Sequence, residues 1–183
     1  MNGDITVISG PSGVGKGTIV RALASEHPEV WVSISATTRP PRPGEVDGRD
    51  YFFVSDEAFD ELIASDGLLE WAQVHGAARY GTPKAPVLAA VADGRRVILE
   101  IELQGSRQVR ERLPGARYVF VAPPDAQTLL ERLHGRGTET EEQVRRRLET
   151  AQTELAAAGE FDHVLVNDEL GRAVAELVEL LGL

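Results

Sequence analysis

Nine residues, Gly10-Pro11-Ser12-Gly13-Val14-Gly15-Lys16-Gly17-Thr18, carry the most specific chemistry in this chain. The apolar run Ile5-Thr6-Val7-Ile8-Ser9 precedes them and Ile19-Val20-Arg21-Ala22-Leu23-Ala24 follows, so the stretch reads as strand, loop and helix. A glycine, four residues, then Gly-Lys is the spacing of a phosphate-binding loop, whose glycines let backbone N–H groups converge on a phosphate at a helix N-terminus. Lys16 adds a point charge to the β- and γ-phosphates of a nucleotide. The motif ordinarily puts Ser or Thr after the lysine to hold Mg²⁺, but here Gly17 stands there and the nearest hydroxyl is on Thr18. The bland alternative, a glycine-rich turn with a chance lysine, does not account for the flanking strand and helix.

A second candidate is the acid pair Glu100 and Glu102, at the end of Arg96-Val97-Ile98-Leu99-Glu100-Ile101-Glu102. Two residues apart on a strand, both side chains point to one face. Opposite a phosphate loop, such a carboxylate would hold Mg²⁺ directly or through water; the alternative is a pair of solvated strand-end acids.

The remaining composition narrows the class. The chain has 183 residues, 42% of them hydrophobic, enough for one α/β domain with inserted subdomains. The net charge of -10 argues against a general nucleic-acid-binding surface, because such binding is dominated by neutralised phosphates. Apart from Lys16 and Lys84 every basic residue is arginine, so other phosphate contacts would be of the planar, bidentate kind. There is no cysteine, hence no disulfide or thiolate metal site, and His27, His75, His134 and His163 lack metal-cluster spacing and read as surface or packing residues. Neither a signal peptide nor a long uncharged apolar stretch is present, so the expectation is a cytoplasmic protein without membrane contact, a monomer or small homo-oligomer.

The elements that must position these groups alternate regularly. His27-Pro28 closes the first helix, Val30 to Ile34 reads as a second strand, and from Ser35 to Pro86 the text turns rich in Pro, Gly, Arg and aromatics. Prolines in that segment exclude a helix around Thr37 to Gly44, and Tyr51 to Val54 suggests short strands in an inserted region. Alternation resumes with a helix over Ala85 to Asp93, the strand ending at Glu102, a helix over Gln108 to Leu113 and a strand over Tyr118 to Val121. Asp125 caps a helix bearing Leu129, Leu130 and Leu133; Gly135-Arg136-Gly137-Thr138 interrupts it. Thr140 and Gln143 form a capping box for a long helix with Val144, Leu148, Ala151 and Leu155 on one face. Val164 to Val166 is the last strand and Leu170 to Leu181 the last helix. Such alternation implies a parallel sheet with helices on both faces and ligands at the carboxyl ends of the strands.

Together the phosphate loop, the run from Ser33-Ile34-Ser35-Ala36-Thr37-Thr38-Arg39 through Asp50-Tyr51, Leu69-Glu70-Trp71-Ala72, Arg79-Tyr80-Gly81-Thr82, Gly135-Arg136-Gly137-Thr138-Glu139 and Val166-Asn167-Asp168 resemble guanylate kinase. The resemblance runs from about Ile5 to the final helix, and the Thr37 to Tyr51 block is its most specific part. It implies an α/β P-loop fold of three layers, α/β/α, with a parallel core sheet (about 1–35, 87–124 and 159–183), an inserted GMP-binding subdomain (about 36–86) and a helical lid (about 125–158). It further implies transfer of the γ-phosphoryl of ATP to GMP with Mg²⁺. By the same resemblance, Arg39, Arg42, Tyr51 and Tyr80 hold the GMP phosphate, Ser35, Glu70 and Thr82 read guanine, and Gly81, Glu100, Glu102 and Arg147 also face GMP. ATP would be held by residues 10–18 with Arg132, Arg136 and Asn167; Lys16, Arg39, Arg136 and Arg147 would be catalytic; Glu102 and Thr18 would serve Mg²⁺, if need be through water. Family members usually have Asp in at least one of the two positions where this chain has Glu100 and Glu102.

The residues agree with that reading on their own chemistry. Guanine presents a ring N–H beside an amino group, and one carboxylate accepts from both, whereas adenine offers an acceptor beside its donor, so Glu70 suits guanine. Arg39 and Arg42, separated by two prolines, form a stiffened fork for a phosphate dianion, with Tyr51 and Tyr80 as hydroxyl donors. Three consecutive arginines, Arg145, Arg146 and Arg147, fan out by about 100° each on a helix, so they cannot all reach one phosphate. Other readings stay open at this point: a kinase for a different nucleoside monophosphate, a non-catalytic guanylate-kinase-like binding domain, and an NTPase regulator of protein or RNA.

Overall fold

A computed structural model describes residues 5–74, 78–134 and 141–183, with backbone alone at 74, 134 and 141–147. At its centre β1 (Ile5–Ser9), buried along its whole length, pairs in parallel with β7 (Arg96–Glu100) on one side and β8 (Arg117–Ala122) on the other. With β2 (Val30–Val32) outside β7 and β9 (His163–Val166) outside β8, the sheet order is β2-β7-β1-β8-β9. Alternate side chains along these strands feed two cores. Ile8, Val119 and Leu165 pack against Ile19, Leu23 and Leu177 of α1 (Lys16–Glu26) and α7 (Leu170–Leu181). Val7, Leu99 and Tyr118 pack on the other face against Val87 and Val109 of α3 (Lys84–Ala92) and α4 (Leu103–Arg112). The result is the three-layer α/β/α architecture expected from the alternation.

A second sheet holds β3 (Ala36–Thr37), β4 (Phe52–Phe53), β5 (Leu68–Val74) and β6 (Ala78–Pro83) in the order β4-β3-β6-β5, with β6 antiparallel to both neighbours. Between β4 and β5 lies α2 (Asp56–Ala64), a helix absent from the sequence reading. The Ser55 side chain caps it by accepting the Ala58 N–H at 3.2 Å, and Phe59 is buried with Ala36 and Leu68 beneath it.

Two boundaries also differ. The strand expected to reach Glu102 ends at Glu100, and the helix expected at Gln108 begins at Leu103. Glu102 is the residue just before α4 and its carbonyl accepts the Ser106 N–H at 2.9 Å, which starts the helical ladder. The chain stays extended through Glu102, so Ile101 points to the core while Glu100 and Glu102 both reach the cavity described below.

Asp125 does cap α5 (Ala126–His134), its Oδ1 accepting the Thr128 N–H at 2.7 Å. Helix α6 spans Glu141–Ala156, while the capping box of Thr140 and Gln143, the interrupting Gly135 to Thr138, His75 and the side chain of His134 lie outside the described residues. Among the described residues no helix is long and apolar enough to cross a membrane.

Candidate active site

At the carboxyl end of β1 the chain turns through a loop that only glycine allows. Gly10 has φ 146° and a Cβ there would collide with the Val121 carbonyl; Gly15 has φ 98° and a Cβ there would stand 2.5 Å from the Asn167 amide nitrogen. Gly15 is also the N-cap of α1 and offers no side chain to its first-turn N–H groups, so that helix end presents donors and a positive dipole to an anion. Lys16 is buried, with Nζ donating to the carbonyls of Gly10 at 2.5 Å and Pro11 at 3.2 Å. From behind, Asn167 Nδ2 and Arg132 Nη1 both donate to the Val14 carbonyl, at 2.8 and 3.1 Å, and Arg132 Nη2 donates to the Asn167 carbonyl at 3.0 Å. Asn167 and Arg132 thus brace the loop's backbone at Val14. Arg136 and the side chain of Arg147 lie outside the described residues.

The cavity in front of this loop has a volume of about 640 Å³. Ser12, Lys16 and Gly17 form its floor; Glu100 comes from the end of β7 and Glu102 from just before α4; Ser35, Arg42, Tyr51, Glu70 and Tyr80 come from the segment of the second sheet. Thr18 is exposed and is not among its walls. Arg39 stands just behind. Its Nε donates to the Tyr80 hydroxyl at 3.1 Å, and Nη1 and Nη2 each donate to Glu45 at 2.9 Å. Its guanidinium also lies 5.4 Å from the centre of the Tyr51 ring. Glu45 additionally accepts the Arg42 backbone N–H at 2.7 Å, and its bond to Arg39 holds its carboxyl below the usual range. Burial raises the Tyr51 hydroxyl pKa, keeping it a neutral donor.

Glu70 occupies β5 with its carboxylate buried between two elements. Thr82 Oγ1 on β6 donates to Oε1 at 2.6 Å. On the other side the carboxylate lies over Gly105 of α4, where a Cβ would overlap Oε2 and approach Cδ to 2.9 Å. Gln108 of the same helix grips the Trp71 backbone, accepting its N–H at 3.2 Å and donating to its carbonyl at 2.8 Å. Helix and strand are thereby locked at the level of Glu70. Gly81 underlies this strand, with room for no side chain against the Glu70 carbonyl. Burial pushes the Glu70 carboxyl up to about 7, against the lowering effect of Thr82.

The guanylate kinase family model matches residues 2–182. The chain belongs to the guanylate kinase family. It is 61% identical to guanylate kinase of Cutibacterium acnes, over 98% of this chain and 90% of that one. It is 57% identical to the Streptomyces coelicolor enzyme, over 96% and 89%. The crystal structure of guanylate kinase from Anaplasma phagocytophilum superimposes with a TM-score of 0.77 at 29% identity, covering 98% of this chain and 85% of that chain. Shikimate kinase from Bacteroides thetaiotaomicron, at 17% identity and TM-score 0.53, shares the fold.

Gly17 stands where the phosphate-loop motif ordinarily has Ser or Thr, and the structure gives that glycine a neighbour. A Cβ at Gly17 would lie 3.3 Å from Glu100 Oε1 and 3.1 Å from Arg21 Nη1, so the long Glu100 side chain reaches the wall that a Ser or Thr would otherwise furnish. Burial raises the Glu100 pKa, opposed by Lys16 and Arg21. Arg21, Glu45, Gly105 and Glu154 were missed as site residues. Arg21 was legible, one turn after Gly17 on the same helix; the others meet the site only through tertiary contacts. Glu154 of α6 is buried, and burial with Glu102 alongside lifts its carboxyl to about 7.

Proposed function

We infer that this chain transfers the γ-phosphoryl group of ATP to GMP, giving ADP and GDP. The observation that carries this is a single cavity with the phosphate loop at one end and, at the other, a buried carboxylate beside a tyrosine–arginine cluster. In this reading the N-terminus of α1 and Lys16 take the donor phosphates, Lys16 exchanging its carbonyl partners for phosphate oxygens. Arg42, Tyr51 and Tyr80 receive the GMP phosphate, with Arg39 oriented behind them, and Glu70 accepts from the guanine ring N–H and amino group while Thr82 fixes its rotamer.

The acceptor is a phosphate monoester whose second pKa is about 6, so its attacking oxygen is already largely ionised at neutral pH and no general base is assigned. What the protein supplies is alignment and charge neutralisation. Arg136 and Arg147, in a lid of about 125–158, would neutralise the group in flight and exclude water on closure; residues of about 36–86 would move as the GMP-binding subdomain.

Mg²⁺ fits the donor set present. The ion keeps several waters and needs one or two carboxylates beside the nucleotide phosphates, which Glu100 and Glu102 at the cavity edge offer. When bound, it supplies neutralisation of charge on the β- and γ-phosphate oxygens. Thr18, exposed outside the cavity, is the weaker candidate.

A coupled ADP-release assay with MgATP and GMP, AMP, CMP, UMP or dTMP tests the reading. Turnover with GMP far above the others is the expected result. No Mg²⁺-dependent consumption of GMP, or a preference for AMP, overturns it.

A further inference from the structure

Strand β5 carries Glu70 at the outer edge of the second sheet, where β6 is its one partner strand. Helix α4 meets that edge with a single face, on which Gly105, Gln108 and Arg112 follow one another at helical spacing. Each touches β5 at a different level. Gly105 lies under the Glu70 carboxylate, Gln108 pairs with both the N–H and the carbonyl of Trp71 at 3.2 and 2.8 Å, and Arg112 donates to the Leu68 carbonyl at 3.1 Å. Leu69 and Val109 share a buried cluster that presses helix and strand together, yet apolar contact has no direction and does not stop one sliding along the other. An amide that pairs with both polar groups of one strand residue does have direction.

Sliding matters here because the space for the carboxylate is one residue wide. Gln104 and Ser106 flank Gly105, and even a Cβ at Gly105 would overlap Oε2. With Thr82 donating to Oε1 from the opposite side, the carboxylate is seated between β6 and α4. We propose that Gln108 is a positioning residue for purine selection, pinning the Trp71 backbone to α4 so that both oxygens of Glu70 stand where a base with two adjacent donors can use them. This rests on the reading of Glu70 given above as the group that accepts from guanine. Gln108 is half-buried and is not a wall of the cavity, so its influence on a ligand passes through Glu70. Guanine and hypoxanthine differ by the amino group alone. A carboxylate shifted along the strand keeps the ring N–H and loses that amino group, which shows as a lost preference between the two bases and not as lost nucleotide binding in general.

The test measures dissociation constants of GMP, of IMP and of ATP without metal by calorimetry at pH 8, above the Glu70 value of about 7, with melting temperatures alongside. The parent is compared with Gln108→Met, Gln108→Glu, Arg112→Met and Glu70→Gln. Methionine fills the same space with neither hydrogen bond, and glutamate keeps the acceptor for the Trp71 N–H but sets an oxygen against the Trp71 carbonyl. Both are expected to lower the ratio of GMP to IMP affinity by about fivefold or more and to leave ATP within about twofold. Arg112→Met, which removes a bond between the same helix and the same strand, should lower the melting temperature and hold the ratio within about twofold. A parental ratio in Gln108→Met overturns the proposal, as does an equal fall in Arg112→Met, which would assign the effect to helix–strand docking in general. Should one Gln108 variant fail to fold, the other decides by the same criterion. If either overturning result comes with a lost preference in Glu70→Gln, base reading by Glu70 stands and only the role of Gln108 falls. A parental ratio in Glu70→Gln strikes base reading by Glu70, and the role of Gln108 with it.

Discussion

The phosphate-loop end of the cavity is shaped mainly by backbone and the opposite end by side chains. At the loop, left-handed glycines and a helix N-terminus face the cavity together with Lys16, and Asn167 and Arg132 brace the Val14 carbonyl from behind. At the other end Arg39, Glu45, Tyr80, Thr82 and Glu70 form bonded pairs before any ligand arrives. The difference follows from what each end must recognise. Every nucleoside triphosphate carries the same phosphates, which amide dipoles can hold without reading anything else, whereas choosing guanine requires a group of one polarity at one place.

Changes that break one end alone should therefore separate rate from acceptor affinity. The largest effect is expected from Lys16→Ala, lowering kcat by ~10² to 10³ or more with GMP affinity in calorimetry nearly unchanged. A comparable loss of GMP affinity would mean that the two ends are not independent. Next, Gly105→Ala should push the Glu70 carboxylate out of place and raise KM for GMP by roughly 10- to 100-fold, about the worth of one hydrogen bond to a charged group, while KM for ATP stays put. Glu45→Ala should let Arg39 swing away and weaken GMP by about tenfold, with guanosine, which has no phosphate, unaffected. An effect of equal size on guanosine would assign Glu45 to the fold of the subdomain instead.

The smallest expected effect is on pH. Glu70 must be ionised to accept from guanine, and its carboxyl stands near 7 when the site is empty. Guanosine binding should therefore tighten about tenfold from pH 6 to pH 8, and Glu70→Gln should flatten that profile at weaker affinity. Guanosine is the right probe because the phosphate of GMP itself titrates near 6. The stability consequence has the opposite sense. With its folded value raised above the ordinary 4.5, Glu70 favours the fold most below that pH and its contribution is lost as pH rises through about 7, so Glu70→Gln should melt higher than the parent at pH 8.

The parallel sheet was legible because long apolar runs and glycine punctuation are local signals, and so was the phosphate loop, whose chemistry is contiguous. The inserted region was not. Its strands are as short as two residues, and α2 hides behind a Pro-rich text with only the Ser55 cap to announce it. Leu103-Gln104-Gly105-Ser106 carries a glycine where a helix former is expected, so the sequence places the start of α4 later; in the structure Glu70, far away in the chain, occupies the space a side chain there would need. Glu45 and Glu154 could not be told from surface acids without the pairs they enter.

The order of strands in the core sheet has a consequence for how the polypeptide acquires its shape. The central strand, β1, leaves the ribosome before both strands it pairs with, for Ile5 pairs with Val97 and Thr6 with Arg117. Until β7 has been synthesised, β1 has no strand to pair with, whereas the hairpin of β5 and β6 can close at once. Nascent chains should thus pass through a stage with an ordered acceptor half and an apolar, unpaired strand beside it. That stage is both the slow one and the one most open to aggregation.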